Sequence, residues 1–90
     1  MAWRIEFERA AARELEKLDP QARRRILRFL TERVAKLESP RDIGEALKGP
    51  ELQDFWKYRV GDFRVIAAIE DARLLILVVR VGNRREVYKR

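Results

Sequence analysis

Basic side chains cluster around a two-residue turn in the second half of the chain. Lys57, Arg59 and Arg64 flank the dipeptide Gly61-Asp62, which is typical of a tight β-hairpin turn. Such a turn pairs Arg59 with Arg64 across the hairpin and places Lys57 on the same face of the sheet. Directly opposed like charges destabilise a hairpin by a few tenths to about 1 kcal/mol, so the arrangement makes sense where an anion binds. The spacing therefore predicts an anion-binding surface.

The C-terminal segment adds further cations and an aromatic ring. Arg84, Arg85 and Lys89 surround Tyr88. The apolar run 74–81 just before them is typical of a central strand. Because this strand leads directly into the tail, we expect Arg84 and Tyr88 to reach the cationic face of the hairpin.

Missing residue types exclude several kinds of chemistry. The chain has no Cys and no His, so ordinary zinc sites, cysteine nucleophiles and histidine-based triads are excluded. Ser39 and Thr31 are the only aliphatic alcohols, and neither lies near a Gly-rich turn. We expect any catalysis to use Arg, Lys, Glu, Asp or Tyr, without a metal or other cofactor.

The charge balance points to an anionic partner. The 21 Lys and Arg exceed the 15 Asp and Glu, giving a net charge of +6. Such a field attracts phosphate, acidic protein segments or anionic lipid. No apolar run approaches the roughly 20 residues of a membrane span, and charges interrupt any signal-peptide core near the N-terminus. We therefore expect a cytoplasmic protein that does not enter a membrane.

The periodicity of the apolar residues predicts an α+β fold. Alternation over residues 3–7 predicts a strand, and the 3.6-residue period over 8–18 and 20–37 predicts two helices, the second with Arg33 as a polar interruption of its apolar stripe. Asp19-Pro20 is typical of a helix start, and three strands follow the loop 39–50. The order β-α-α-β-β-β predicts a single domain over residues 1–90. Its helical hairpin packs on one face of a mainly antiparallel four-stranded sheet. We call the opposite face, which we expect to be open, the outer face.

Three sequence runs carry a resemblance to a known family. YRVGDFRVIAAI spans the predicted hairpin, LLILVVRVGNRREVY spans the last strand and the tail, and LKGPELQDFWKYRV leads into the hairpin. Together with the order of the elements, they resemble the RelE/ParE superfamily of bacterial toxins over nearly the whole chain.

The resemblance implies an activity and a set of residues. Toxins of the RelE branch enter the ribosomal A site and cut the messenger RNA there, which inhibits translation. Matching the motifs implies that the catalytic residues are Lys57, Arg59, Arg64, Arg84 and Tyr88. Asn83 stands where many relatives carry His. The resemblance also implies a cognate antitoxin, an acidic and apolar protein that covers the basic face in a hetero-oligomeric complex.

The expected chemistry is attack by the 2′-hydroxyl of the RNA on the adjacent phosphorus. This reaction needs a base, an acid for the leaving oxygen, and cations for the charge on phosphorus. Without His, the base is either Tyr88 or Lys57, while Arg64 and Arg84 hold the phosphate. Outside this set, we expect Arg85, Lys89, Arg23 and Arg24 to bind RNA; the last two belong to a basic run on the second helix that also contains Arg25 and Arg28.

Two other functions remain open from the sequence. A ParE-like inhibitor of DNA gyrase is a protein-binding toxin that need not keep this basic and tyrosine set. A relative that binds RNA without cutting it keeps the cations but lacks the activity. The joint presence of Lys57, Arg64, Arg84 and Tyr88 favours the ribonuclease.

Overall fold

The computed structural model describes residues 2–47, 49 and 54–83. Within them, the strands form one sheet in the order β1-β5-β4-β3-β2. The strands are β1 (Arg4–Phe7), β2 (Glu45–Ala46), β3 (Phe55–Val60), β4 (Phe63–Glu70) and β5 (Leu75–Asn83). The helices α1 (Arg9–Glu16) and α2 (Pro20–Arg28) lie between β1 and β2 in the chain. β1 runs parallel to β5, and the other neighbouring strands are antiparallel. The predicted α+β class and the helical hairpin are confirmed.

The start of α2 follows from its first two residues. The Asp19 carboxylate accepts a hydrogen bond of 2.7 Å from the backbone N–H of Ala22. Pro20 occupies the first turn, where its missing N–H has no helical partner to lose. The sequence prediction of this boundary is confirmed.

After α2 the chain continues through a π turn (Phe29–Arg33) and a 3-10 turn (Val34–Lys36). The wider π turn changes the residue spacing on the buried side, which carries Ile26, Leu30 and Val34. Arg33, which a regular 3.6-residue period places on the apolar stripe, is instead exposed. The π turn therefore keeps a cation out of the core. Among the described residues, none of the helices combines the length and the apolar character of a membrane span.

The core lies between this helical layer and one face of the sheet. Its largest fully buried side chains include Ile26 and Leu30 from the helical layer and Tyr58, Val65 and Val78 from the sheet. Tyr58 and Val65 are directly opposed across β3 and β4. Burial of these alternate strand positions fixes which face carries the remaining side chains.

The β3–β4 hairpin has the register that its two-residue turn predicts. Val60 pairs with Phe63, and Arg59 pairs with Arg64. Gly61 has a φ of +60°, as the first central residue of a type II′ turn requires. A Cβ at Gly61 would lie 2.7 Å from Nη1 of Arg25, the flexible end of a side chain that can move away, so the positive φ is the main barrier to a side chain here.

The sheet has five strands in the described residues, not the four predicted. The extra strand is β2, whose two residues pair with Trp56 and Lys57 of β3. It lies within the segment expected to be a loop, because two residues are too short to produce an alternating pattern. The last strand also differs from expectation, since β5 continues through Gly82-Asn83 instead of ending before them. Gly82 pairs with Arg64, so pairing to β4 outweighs the low strand propensity of glycine.

An α1 side chain closes the edge of β5 beyond the end of β1. β1 pairs with β5 only as far as Val78, and a bulge then separates the pairs Ala67–Val78 and Ile66–Arg80. Past the bulge, the Glu14 carboxylate accepts a 2.9 Å hydrogen bond from the N–H of Val81 and one of 3.1 Å from Nε of Arg80. Glu14 thus replaces a strand partner at this edge.

The segment before β2 is fixed to the opposite end of the sheet. Arg41 forms a bidentate ion pair with Asp71, with N–O distances of 3.0 and 2.8 Å, and lies 5.7 Å from the centroid of the Trp56 ring. The Tyr58 hydroxyl donates a buried hydrogen bond of 2.6 Å to the carbonyl of Pro40. These contacts position the short segment that delivers Glu45 to β3.

Candidate functional site

Three sequence-predicted residues lie on the outer face. Lys57, Arg59 and Arg64 alternate with the buried side chains of Tyr58, Val60 and Val65, and Arg59 is directly opposite Arg64. The predicted register and the shared face are therefore both confirmed. The repulsion between these cations is fixed by the pairing, which leaves the face suited to an anion.

Arg64 is buried, although the outer face was expected to be open. Only 7% of its surface is exposed. Its Nη1 donates to the carbonyls of Gly61, at 3.2 Å, and Phe63, at 3.0 Å. Ile66 and Leu75 are also buried on this face, so the face expected to be open is not open at every position. Alternation fixes the face of a residue but does not fix its exposure.

No carboxylate forms a salt bridge with Arg64 within the described residues. The two carbonyls orient the guanidinium group without cancelling its charge. A buried cation held only by neutral acceptors attracts an anion strongly, because little solvent screens it. The two hydrogen bonds therefore hold the Arg64 guanidinium group beside the hairpin turn in an orientation that suits an anion.

Lys57 meets an acidic residue that the sequence analysis did not identify. Its Nζ lies 3.5 Å from a carboxylate oxygen of Glu45, and 23% of the Lys57 side chain is exposed. The contact exists because β2 pairs Glu45 directly with Lys57. The unrecognised strand explains why this ion pair was missed.

Arg59 is exposed and lines a groove of about 370 Å³ between the helical layer and the edge of β3. We call it the β3-edge groove. Its lining residues are Arg25, Arg28, Phe29, Glu32, Arg33, Arg59, Val60 and Gly61. Four arginines therefore surround a single carboxylate. The hairpin register predicts only that Arg59 shares a face with Arg64, but the structure also brings Arg59 to the arginines of the helical layer.

The two helical residues predicted to bind RNA lie in different surroundings. Arg23 is partly buried, and its Nη1 donates a 3.3 Å hydrogen bond to the carbonyl of Glu16. Arg24 is exposed and lines a cleft of about 660 Å³ between α2 and Phe63. Arg24 is thus the better placed of the two to meet a ligand.

The C-terminal residues of the predicted site, Arg84, Arg85, Tyr88 and Lys89, lie outside the described residues. β5 ends at Asn83, directly before them, and Gly82 is paired with Arg64. Asn83, the last described residue, therefore lies one residue past the partner of Arg64.

Comparison with known proteins identifies the family. Residues 5–88 match the model of a family described as the ParE toxin of the type II toxin–antitoxin system parDE. The chain belongs to the RelE/ParE superfamily of type II toxins. It is 32% identical to the mRNA interferase toxin RelE of Escherichia coli, over 98% of this chain and 92% of that protein. It is 27% identical to toxin RelG of Mycobacterium tuberculosis over the full length of both.

Solved structures of RelE-type proteins share the fold of this toxin. The toxin–antitoxin complex RelBE2 of Mycobacterium tuberculosis contains a chain that aligns with a TM-score of 0.85 at 24% identity, covering 96% of this chain and 95% of that one. A chain of the intact RelBE complex of Escherichia coli aligns with a TM-score of 0.71 at 27% identity, covering 91% and 96%. These alignments place the β3–β4 hairpin and the helical layer of this toxin within a known architecture.

Sequence reasoning missed two further features of the toxin surface. Arg33 looked like an interruption of a core stripe, and only the π turn turns it toward the β3-edge groove. Arg25 looked like one of several solvated cations, yet it packs against the hairpin turn. A charged residue at a predicted core position was the available signal for Arg33, because it requires a change of helical period.

Proposed function

We propose that this toxin is a metal-independent endoribonuclease that enters the ribosomal A site and cuts messenger RNA there. The main support is the position of Arg64. This buried arginine is oriented by two carbonyls and shares a face of the sheet with Lys57 and Arg59. The naming of the RelE relative as an mRNA interferase supports the same activity. These groups suit a reaction that needs charge stabilisation on phosphorus and no metal.

In the proposed reaction, the 2′-oxygen of one nucleotide attacks the adjacent phosphorus and the bond to the 5′-oxygen breaks. A base removes the 2′-proton, and an acid protonates the leaving 5′-oxygen. Arg64 binds the non-bridging oxygens, where negative charge increases in the transition state. By motif matching, Arg84 supplies a second guanidinium group at the same phosphate.

The ion pair of Lys57 with Glu45 helps to divide the proton-transfer roles. The side chain of Lys57 lies beside a carboxylate in this pair, a setting that suits a cation or a proton donor better than a base. We therefore assign the base to Tyr88. Arg59 helps both Tyr88 and Lys57 to act by holding the RNA backbone next to Arg64.

The decisive experiment adds purified toxin to translating ribosomes and maps the 5′ ends of the messenger. The unmodified protein should produce new ends within A-site codons. Arg64→Ala should lower the single-turnover rate by about 30-fold to 1,000-fold, equivalent to roughly 2–4 kcal/mol of transition-state stabilisation. Thermal unfolding of the variant is measured alongside, because Arg64 also binds the turn carbonyls.

Arg73→Ala is the matched control. Arg73 is an exposed arginine just past the end of β4, and it pairs with Glu70, the last residue of that strand. Its loss removes the same charge at the end of β4 opposite the hairpin turn, away from Lys57, Arg59 and Arg64, so the cleavage rate should stay within about twofold of the original. Equal loss of cleavage in both variants, or intact messenger with the unmodified protein, would refute the proposal.

A gyrase inhibitor is the second candidate function. It is supported by the matching family model, which describes the ParE toxin. A supercoiling assay with purified gyrase separates the two functions. Inhibition of supercoiling with uncut messenger would favour the ParE-like function.

We also propose a cognate antitoxin as the stable partner. Two similar structures are complexes of toxins with antitoxins. An acidic segment that covers the cations of the outer face should block access to RNA. Co-expression should yield a hetero-oligomer without activity, and a partner that leaves cleavage unchanged would contradict this.

A further inference from the structure

The β3-edge groove has a strongly one-sided charge. Its four arginines face one acidic side chain, Glu32, whose carboxylate already lies 3.6 Å from Nε of Arg28. Both side chains of that pair are well exposed, so the pair is weak and can exchange for another anion. The groove therefore offers several guanidinium groups to a ligand with repeated negative charges.

The groove exists because no described strand covers this part of the β3 edge. β2 pairs only with Trp56 and Lys57, so residues 58–60, which pair with β4 on one side, have no described strand on the other side. At the turn end of the groove, the lack of a side chain at Gly61 lets the guanidinium group of Arg25 lie close to the backbone. The arginines thus line a channel instead of projecting separately from a convex surface.

The floor of the groove suits a phosphate backbone better than a peptide. Peptides that bind tightly place large apolar side chains in desolvated pockets. Here Val60 is only 4% exposed, and the guanidinium group of Arg33 lies 5.7 Å from the centroid of the Phe29 ring and covers it. The lining therefore presents cations and backbone instead of apolar pockets.

Arg59 connects the groove to the outer face. It lines the groove and is also directly opposite Arg64. One continuous strand of RNA can therefore contact Arg64 with one phosphate and the groove with its neighbours. We propose that the β3-edge groove binds flanking phosphates of the same RNA strand that the outer face cuts, with Arg28 and Arg33 as its principal contacts. This assignment of the strand rests on the proposed function.

The test measures binding of purified toxin to single-stranded RNA that carries 2′-O-methyl groups and so cannot be cut. We expect a trinucleotide to occupy the outer face alone and a nonanucleotide to be long enough to reach the groove as well. The double variant Arg28→Gln/Arg33→Gln should bind the nonanucleotide about tenfold more weakly and the trinucleotide unchanged. The slope of log affinity against log salt should fall in magnitude by about 1.4, as expected for two lost contacts to a single strand.

The control is Arg4→Gln/Arg73→Gln, which removes the same charge. Both arginines pair with acidic neighbours, as Arg28 does. They lie at the same end of the sheet, where the backbone N–H of Arg4 donates a hydrogen bond to the carbonyl of Leu74, next to Arg73 in the chain. This control should change both affinities by less than about twofold, because distant exposed charges are screened. Equal weakening in the two double variants would overturn the proposal.

Three further results would also overturn it. The first is no measurable binding of the nonanucleotide by the unmodified toxin. The second is that Arg28→Gln/Arg33→Gln binds vacant ribosomes, which carry no messenger, more weakly while its affinity for the nonanucleotide is unchanged; this result would assign the groove to ribosomal RNA. The third is that the double variant loses affinity only for the acidic antitoxin. Because the probe is not cut, failure of the unmodified toxin to cleave messenger would reject the proposed function and leave this measurement valid.

Discussion

At the scale of single residues, Tyr58 is a tyrosine whose role is to stabilise the fold, because both its ring and its hydroxyl are buried. Its ring is fully buried, and its hydroxyl donates a 2.6 Å hydrogen bond to the Pro40 carbonyl. Burial raises the pKa of Tyr58 to about 12, and the charge of nearby Arg41 opposes the shift. The neutral hydroxyl is therefore the form on which the folded state depends.

We predict a pH-dependent effect of Tyr58→Phe. The variant leaves the Pro40 carbonyl without its donor, which should lower the free energy of unfolding by about 1–3 kcal/mol at pH 8. A tyrosine with a raised pKa stabilises the fold below about pH 10 and loses this contribution as the pH rises toward 12. The stability difference between the two proteins should therefore narrow over that range in urea unfolding. A difference that stays constant would contradict the assigned role.

Arg64 and Arg33 mark the limit of residue-by-residue prediction. Alternation correctly placed Arg64 on the outer face, because the turn fixes the register. It could not show the burial of Arg64 or its bonds to the turn carbonyls, because exposure depends on what packs over a face. Helical periodicity likewise placed Arg33 toward the core, whereas the π turn moves it out. Both errors arise where the surrounding structure overrides a local pattern.

At the scale of secondary-structure elements, those with a strong local sequence signal were predicted correctly, and those held mainly by long-range pairing were missed. The cap at Asp19 and the turn at Gly61 each have a short-range cause, and both appear as predicted. β2 has no such signal, since its two residues are held by their pairing with β3. The extension of β5 past Gly82 likewise depends on its pairing with β4. Long-range pairing is the information that the sequence pattern lacks.

The edge of β5 gives a prediction at this scale. Glu14→Ala leaves the partly buried N–H of Val81 without its acceptor and should lower the free energy of unfolding by about 1–3 kcal/mol. Glu14→Gln keeps an acceptor oxygen and should cost less than about 1 kcal/mol, although the charged contact with Arg80 is weakened. Glu16→Ala is the control, since Glu16 is exposed on the same helix and should change stability by no more than about 0.5 kcal/mol. Urea unfolding measures all three, and equal effects of the Ala and Gln variants would exclude a specific hydrogen bond.

At the scale of the whole molecule, the excess of cations forms connected surfaces. The cleft beside Phe63 and the β3-edge groove share Arg25 and Arg28, so positive charge extends across α2 toward the outer face. Charge on such a path increases the rate of encounter with a polyanion more than it strengthens the final complex. The arrangement separates residues that guide RNA from those that act on the phosphate.

The last prediction tests this separation with Arg24, which is exposed and lines the cleft beside Phe63. Arg24→Gln should lower the association rate constant for ribosomes by about twofold to fivefold at low salt, because it weakens steering. The effect should shrink as salt is added, since the Debye length falls to about 8 Å at 0.15 M ionic strength. The dissociation rate and the single-turnover cleavage rate at saturating toxin should stay unchanged, in contrast to Arg64→Ala. Stopped-flow binding at several salt concentrations measures these constants, and a slower cleavage step in Arg24→Gln would place Arg24 in the reaction instead of on the path to it.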